Sequence, residues 1–212
     1  MPRIPRAQQP GETFHVINRG NNRQRVFHAD GDYRAFVNLL CKAKQRVPVK
    51  LFTFSVMPNH FHLQLQADTE GAMSSFMQWW LTSHVRRYHR HYRTSGHVWQ
   101  GRYKSFPIQC DEHFLTVARY VLRNPVRAGL AAEPRTWPWT SLAFPELTDT
   151  WPVPAPTQFD EWTRQPLSER EIEDIRNSVN RQAPFGDESW RRQIAKENGL
   201  ESTLRPRGRP RN

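Results

Sequence analysis

Residues 49–66, VKLFTFSVMPNHFHLQLQ, carry the pattern that decides the fold. Residues 49–56 are rich in β-branched and aromatic side chains, and residues 60–66 alternate polar and apolar side chains, which is the period of a strand. The intervening Met57-Pro-Asn is typical of a short turn, because proline is tolerated between strands but not inside a sheet. The stretch therefore predicts a β-hairpin.

Further elements are predicted on both sides of this hairpin. Apolar residues at helical spacing predict helices over residues 32–46, 72–93 and 111–124, and extended segments are predicted over residues 13–18 and 99–109. Pro125 is expected to end the third helix. The order strand, helix, strand, strand, helix, strand, helix predicts an α+β fold of the ferredoxin-like kind, in which an antiparallel sheet is flanked by helices on one face.

The composition predicts five segments. They are a basic arm over residues 1–11, a main domain over 12–145, a proline-rich linker or packed-down arm over 146–167, a helical extension over 168–200 and a basic tail over 201–212. In the extension, Ser168-Glu-Arg-Glu is a capping box that opens a helix to about residue 181, and a second helix is predicted over residues 187–198.

The charge predicts a polyanionic partner, because 31 Lys and Arg face 20 Asp and Glu, for a net charge of +11. No acidic residue lies between Glu70 and Asp111, where cations alternate with Trp and Tyr, a combination suited to phosphates and unstacked bases. The candidate DNA-binding residues are Arg19, Arg23, Arg25, Arg86, Arg87, Arg90, Trp99, Gln100, Arg102, Lys104, Arg207 and Arg209. For the arginines, a merely solvated basic surface is the alternative, and Trp99 could equally belong to the core.

Other classes of protein are excluded by what the sequence lacks. No run approaches the roughly 20 apolar residues of a membrane span, and the first residues lack the apolar core of a secretory signal. The two cysteines, Cys41 and Cys110, have no metal-type spacing. We therefore expect no membrane partner and a cytoplasmic, nucleoid-associated protein.

The second strand of the hairpin carries the first candidate site. Its side-chain period of two places His60, His62, Gln64 and Gln66 on one face and the apolar residues on the other. If the apolar face is the core, the two imidazoles point together away from it, a geometry suited to binding one cation. A surface pair of histidines without a metal is the alternative.

The helix predicted over residues 111–124 carries the second candidate site. On a helical wheel Phe114, Ala118 and Val121 form a buried stripe, and Tyr120 and Asn124 lie on the opposite side. Tyr120 is therefore expected to leave the core, with the Asn124 amide one turn further on. An amphipathic helix with a half-buried aromatic residue is the alternative.

Three motifs in one order now identify a family. MPNHFHL (57–63), WQGRYKS (99–105) and YVLRNPVRAG (120–129) together resemble the REP-associated tyrosine transposases of the single-tyrosine HUH superfamily. HVINRGNNR (15–23) and WPWTS (137–141) fit the same pattern, so that the resemblance covers residues 12–145.

The resemblance implies a metal-dependent DNA endonuclease and strand transferase with a ferredoxin-like fold. In such a protein His60 and His62 would bind Mg²⁺ or Mn²⁺, Asn124 would stand where relatives supply a third ligand, often Gln, and Tyr120 would be the nucleophile. The substrates would be single-stranded or hairpin DNA of repetitive extragenic palindromes, processed through a 5′-phosphotyrosine by a monomer or a homodimer. A non-catalytic DNA- or RNA-binding protein of the same fold, and a metal-dependent hydrolase that uses water, remain open.

Overall fold

A computed structural model describes residues 9–205 of the chain, as a four-stranded sheet with helices on both faces. In chain order the elements are β1 (Thr13–Arg19), α1 (Asp30–Arg46), β2 (Lys50–Met57), β3 (His60–Gln66), α2 (Ala72–Tyr92), β4 (Lys104–Ile108), α3 (Glu112–Arg127), α4 (Phe159–Arg164), α5 (Glu169–Arg181), α6 (Glu188–Glu197) and α7 (Glu201–Leu204). Arg207, Arg209 and most of the predicted N-terminal arm lie outside the described residues.

The sheet has the order β2-β3-β1-β4, with every neighbouring pair antiparallel. The predicted hairpin is formed by β2 and β3, whose last pair of Cα partners is Met57 and His60. Because β3 and β1 are the two central strands, the histidines of β3 lie in the middle of the sheet rather than at an edge. The predicted α+β fold of the ferredoxin-like kind is confirmed.

Helices α1 and α2 cover one face of the sheet. Phe61, Leu63 and Leu65 of β3 point into this layer, as their alternation predicts. The rings of Phe36 and Trp80 stack with centroids 4.3 Å apart, and Trp80 donates its indole N–H to the Phe36 carbonyl oxygen at 3.1 Å. This layer is the larger of the two cores.

Helix α3 covers the other face, so the prediction that helices pack on one face only is wrong. Phe52 of β2 and Phe106 of β4 point toward α3 and pack against Phe114, Val117 and Val121. The polar alternation of β3 suggested a solvent-exposed face, but Phe52 of β2 and Phe106 of β4 add apolar side chains to the same face of the sheet, and these require a cover.

Helix α3 also continues past Pro125, where the sequence predicted its end. A proline removes only its own N–H, and the next turn is closed by the amides of Ala128 and Leu130, which donate to Asn124 and Pro125 carbonyls at 3.0 and 2.9 Å. The extra turn carries Arg127, seven residues after Tyr120 and therefore on the same side of the helix.

The C-terminal part of the chain packs over the outer side of α3. The indole N–H of Trp151 donates to the Phe52 carbonyl oxygen at 3.2 Å, and its ring meets that of Phe114. Arg119 of α3 forms an ion pair of 2.9 Å with Glu171 of α5, and Ile175 of α5 is fully buried. Helix α3 therefore lies between the sheet and the C-terminal extension.

Gly20, directly after β1, allows a close approach of three loops. Its N–H donates to the Asn59 carbonyl oxygen at 2.7 Å, and a Cβ at this position would lie 2.4 Å from the Gln24 carbonyl oxygen. The Gln100 N–H donates to the Arg19 carbonyl oxygen at 2.8 Å. Any side chain at residue 20 would push these loops apart, at the end of the sheet where His60 lies.

The packing of Ile175 yields a prediction of stability. We expect Ile175→Ala to lower the free energy of unfolding by about 2 to 5 kcal/mol, because it leaves a cavity in the layer that joins α5 to α3 and β4. Urea denaturation followed by tryptophan fluorescence and by far-UV circular dichroism measures this. Ile172 is half-buried on the same helix, and Ile172→Ala should lower the free energy of unfolding by a smaller amount. If the curve showed a separate, earlier transition and Ile175→Ala shifted only that transition, this would contradict the packing of the extension onto the sheet domain.

His84 of α2 yields a prediction of pH dependence. It is fully buried among Phe27, Phe36 and Trp99, neither ring nitrogen has a hydrogen-bond partner within residues 9–205, and burial lowers its pKa to about 3. In the unfolded chain it takes up a proton below about pH 6.5, so unfolding becomes easier as the pH falls from there toward 3.

We expect His84→Phe to remove this contribution, which has a slope of roughly 1 kcal/mol per pH unit. Urea denaturation at pH 4, 5, 6 and 7 would show a shallower dependence than in the wild type. Replacing the exposed His91 by Gln is the control and should leave the slope unchanged. Equal slopes for wild type and His84→Phe would contradict a neutral, buried His84.

Candidate active site

The predicted histidines, tyrosine and asparagine line one cavity of about 380 Å³. His60 and His62 reach it from β3, and Tyr120 and Asn124 reach it from α3. The remaining lining residues are Ile17 and Arg19 of β1, Arg127 and Ala128 at the end of α3, and Arg176, Val179 and Asn180 of α5.

His62 is held between two hydrogen-bonding partners. Its Nε2 lies 2.8 Å from the amide nitrogen of Asn124, and its Nδ1 lies 2.8 Å from Nε2 of His15 on β1. An amide nitrogen can only donate, so Nε2 of His62 accepts and Nδ1 carries the proton, a tautomer inferred from this pattern. With 2% of its surface exposed, His62 does not point away from the core as predicted, because α3 covers its face of the sheet.

His60 is oriented in the same way by a different partner. Its Nδ1 lies 2.7 Å from the side-chain oxygen of Asn59 in the hairpin turn, an acceptor, so Nδ1 donates and Nε2 keeps its lone pair. The ring centroids of His60 and His62 are 5.1 Å apart. The two rings are therefore close enough to share one ion, and each has a partner on Nδ1 that leaves Nε2 to accept.

Both rings are neutral at physiological pH. Burial, with Arg19 and Arg127 nearby, lowers the pKa of His60 to about 4, and an interaction with the Asn124 side chain acts in the opposite direction. Burial, followed by the neighbouring His15 and His60, lowers the pKa of His62 well below its ordinary value. A neutral imidazole is the form that binds a cation, so the donor set fits a divalent metal.

Tyr120 is buried, whereas the sequence predicted that it leaves the core. It is 5% exposed, and its ring meets that of His62 edge to face with centroids 5.7 Å apart. The helical wheel placed Tyr120 and Asn124 opposite the buried stripe, but both side chains also face the sheet, where each contacts His62 of β3. The phenol oxygen accepts from Nη2 of Arg127 at 3.3 Å, and the guanidinium carbon lies 5.0 Å from the ring centroid.

Asn124 is brought to the site with its amide in a particular orientation. Its nitrogen faces His62, and its oxygen accepts from Nη2 of Arg127 at 3.2 Å. A metal ion would take the oxygen rather than the nitrogen. Ligation by Asn124 therefore requires a half-turn of the amide, which breaks the contact of its oxygen with Arg127 and that of its nitrogen with His62.

Sequence reasoning missed five residues of this region. His15 shares the face of β1 that includes Ile17 and Arg19, and its place in the motif HVINRGNNR was a signal that could have been used. Arg127 was overlooked because the helix was expected to end at Pro125. Asn59 lies in the quoted motif MPNHFHL, whereas Arg176 and Asn180 lie in a segment that has no sequence signal for a site.

Four predicted DNA-binding residues adjoin the active-site cavity. A second cavity, of about 330 Å³, shares four lining residues with the first. Its lining includes the predicted residues Arg19, Gln100, Arg102 and Lys104.

The other predicted DNA-binding residues are not brought to the site. Arg86, Arg87 and Arg90 belong to α2, on the opposite face of the sheet, and Arg87 forms an ion pair of 3.3 Å with Asp32. Arg23 and Arg25 are exposed after β1, and Nε of Arg25 donates to the Phe27 carbonyl oxygen at 2.7 Å.

Trp99 is a core residue rather than a DNA-facing one. It is 5% exposed and packs against Phe36, Phe61 and His84. The acid-free stretch of the sequence is therefore divided between the two faces of the sheet.

A second group of possible metal ligands lies at the start of α3. One ligand atom from each of Asp111, Glu112 and His113 lies within 4.8 Å of the others. Asp111 caps the helix by accepting from the His113 N–H at 2.8 Å, and it also binds the His113 ring at 2.8 Å. Helix capping accounts for this arrangement without a metal.

Comparisons with known proteins identify the family. A family profile described as "Transposase IS200 like" matches residues 9–124, more than half of the chain. The chain belongs to the IS200-like transposase family. A comparison with curated proteins gives no match.

Two solved structures are similar to this IS200-like transposase. One, described as a REP-associated tyrosine transposase bound to a REP hairpin, has a TM-score of 0.53 and 18% identity, over 80% of this chain and 100% of that one. The other, a candidate transposase from Deinococcus radiodurans R1, has a TM-score of 0.41 and 20% identity, over 57% of this chain and 96% of that one.

The family match ends within the site. It includes all four residues that the sequence predicted for the site, up to Asn124, whereas Arg127 and α5 lie beyond it. Among residues 9–205, no helix is long and apolar enough to cross a membrane.

Proposed function

We propose that this chain is a metal-dependent DNA endonuclease and strand transferase that acts on single-stranded or hairpin DNA through a 5′-phosphotyrosine intermediate. One observation supports it most: His60, His62, Tyr120 and Asn124, from two separate elements, line one cavity, and a guanidinium donates to the phenol oxygen. Membership of the IS200-like transposase family supports the same class of reaction.

The proposed substrate is a hairpin of a repetitive extragenic palindrome with a single-stranded foot. The described ligand of the structural relative, a REP hairpin, and the cationic cavity that contains Arg19, Arg102 and Lys104 support this choice. A single-stranded foot is needed because a phosphate within a regular duplex could not reach a phenol that is only 5% exposed.

The proposed reaction is a transesterification. The oxygen of Tyr120 attacks the scissile phosphorus and loses its proton, the bond from phosphorus to the 3′ oxygen breaks, and that oxygen takes up a proton. The products are a 5′-phosphotyrosine and a free 3′-hydroxyl, and the reverse attack by another 3′-hydroxyl joins two strands without water or ATP. Arg127, which already donates to the phenol oxygen, would stabilise the phenolate and the negative charge that develops on the phosphate.

The proposed cofactor is Mg²⁺ or Mn²⁺, held by Nε2 of His60 and of His62, with the Asn124 oxygen as third ligand after its half-turn. The chemistry that such a cation would supply, when bound by these neutral ligands, is a full positive charge that polarises a phosphate oxygen. His15 and Asn59 then act on the ligands: each fixes a ring through Nδ1 and so holds the other nitrogen ready to bind.

One chain supplies every residue of this site, which suits a monomer and also a homodimer whose sites work in cis. A DNA substrate would keep the protein with the nucleoid in the cytoplasm.

The nucleophile can be tested by trapping the intermediate. We expect the wild-type protein, incubated with labelled repeat-hairpin DNA and Mn²⁺, to form a covalent adduct that survives a denaturing gel. Tyr120→Phe should abolish the adduct, because it removes the attacking oxygen, while a gel-shift assay still detects DNA binding. Tyr88→Phe is the matched control on α2, across the sheet from the site, and should leave the adduct intact.

The same gel separates the alternatives. Cleavage without an adduct in the wild type would support a hydrolase that uses water, and a gel shift without cleavage would support a binding protein. An adduct that persists in Tyr120→Phe would contradict the role proposed for Tyr120.

The metal ligands can be tested without DNA. We expect His62→Ala to abolish binding of Mn²⁺, measured by electron paramagnetic resonance of the free ion, and His15→Leu to weaken it by roughly 10- to 100-fold because the His62 ring loses its partner. Circular dichroism checks that each variant is folded.

His113→Ala is the control, because it disrupts the other group of possible ligands. It should bind Mn²⁺ as the wild type does. If His113→Ala lost Mn²⁺ binding and His62→Ala bound Mn²⁺ normally, the metal site would have to be assigned to the start of α3 instead.

A further inference from the structure

We propose that helix α5 of the C-terminal extension is one wall of the DNA-binding groove, and that Arg176 and Asn180 bind the single strand beside the scissile phosphate. This inference rests on the proposed function, since it requires a DNA strand in the site. It gives residues beyond the family match a part in binding the substrate.

The two cavities beside the sheet are consecutive parts of one groove. They share Ile17 and Arg19 of β1 on one side and Val179 and Asn180 of α5 on the other. The groove runs from the histidines and Tyr120 toward the segment that carries Gln100 and Arg102. Helix α5 lies along both parts, opposite β1.

The charges along the groove have one sign. Among the residues that line its two parts, the charged ones are all cations and no carboxylate is present: Arg19, Arg102, Lys104, Arg127 and Arg176. A groove of this kind attracts a phosphate backbone along its length rather than at a single point.

The α5 side chains that line the groove differ from those that line a neighbouring cavity. Arg176 and Asn180 face the groove, whereas Glu171 and Asp174 line a different cavity on the other side of the helix. Glu171 is paired with Arg119, but Arg176 is exposed and forms no ion pair within residues 9–205. The helix therefore presents Arg176, which has no ion-pair partner within residues 9–205, to the groove, and neither Glu171 nor Asp174 lines that groove.

The wall is rigidly held. Ile175 and Ser178 are buried, the Arg119–Glu171 pair joins α5 to α3, and Nε of Arg181 donates to the Thr203 carbonyl oxygen at 2.5 Å. A surface that is ordered before binding loses little entropy when the ligand arrives. Because the phosphate must reach a phenol that is almost fully buried, the proposed ligand of the groove is a single strand and not a regular duplex.

Binding of a single strand in the absence of metal tests this wall. Fluorescence anisotropy of a labelled single-stranded oligonucleotide, in EDTA and at several salt concentrations, gives the Kd and its salt dependence without cleavage. We expect Arg176→Gln to raise the Kd roughly three- to tenfold and to reduce the salt slope by about 0.7, the value for one lost phosphate contact on a single strand. Asn180→Ala should raise the Kd without changing the slope.

Arg170→Gln is the matched control, on the same helix with the same change of charge but with a side chain that is 93% exposed outside the groove. It should leave the Kd and the slope as in the wild type, and thermal unfolding confirms that all three variants are folded. Equal Kd values for Arg176→Gln and Arg170→Gln would overturn the proposal that α5 is a wall of the groove. If the wild type bound the strand and formed the adduct in the same experiments, the proposed function would still stand.

Two other outcomes also decide against the wall. Tighter binding or faster adduct formation in Arg176→Gln would show that α5 obstructs the groove instead of binding DNA. A wild type that binds no single strand and forms no adduct would overturn the proposed function, and this inference with it.

Discussion

The hydrogen-bonded row His15, His62 and Asn124 is the interaction on which the rest of the site depends. It joins β1, β3 and α3 in the space between the sheet and the helix, with both contacts at 2.8 Å. An unpaired polar group in such a place is costly, so each member of the row requires the others. The row links α3 to both central strands one turn beyond Tyr120, whose ring lies beside those of His15 and His62.

The second constraint is that α3 is covered on both sides. The sheet and the C-terminal extension together bury it, which excludes water from the two imidazoles and keeps them neutral. The same covering brings α5 to the mouth of the cavity. The extension is thus part of the structure that creates the electrostatic environment of the site, although it lies outside the segment that matches the family.

The hairpin, the helix periods and the strand order were predictable from the sequence, because a period of two or 3.6 is a local property. The four motif residues of the site, His60, His62, Tyr120 and Asn124, were predictable because the motifs place them in one order along the chain. What failed was the burial of His62 and Tyr120, because amphipathic patterns show which side of an element differs and not what packs against it. Arg127 was missed because Pro125 was expected to end α3. Arg176 was missed because no local pattern in α5 distinguishes a residue that lines the cavity from one on an ordinary surface helix.

The burial of Tyr120 has an entropic consequence. A tyrosine side chain on an exposed helix samples several rotamers, and a reaction that requires one of them must wait for it. Here the ring is held by His62 and by the guanidinium of Arg127, so its freedom is lost when the chain folds rather than when a strand arrives. In the proposed reaction, the folding free energy of the domain therefore already includes the entropic cost of orienting the attacking oxygen atom.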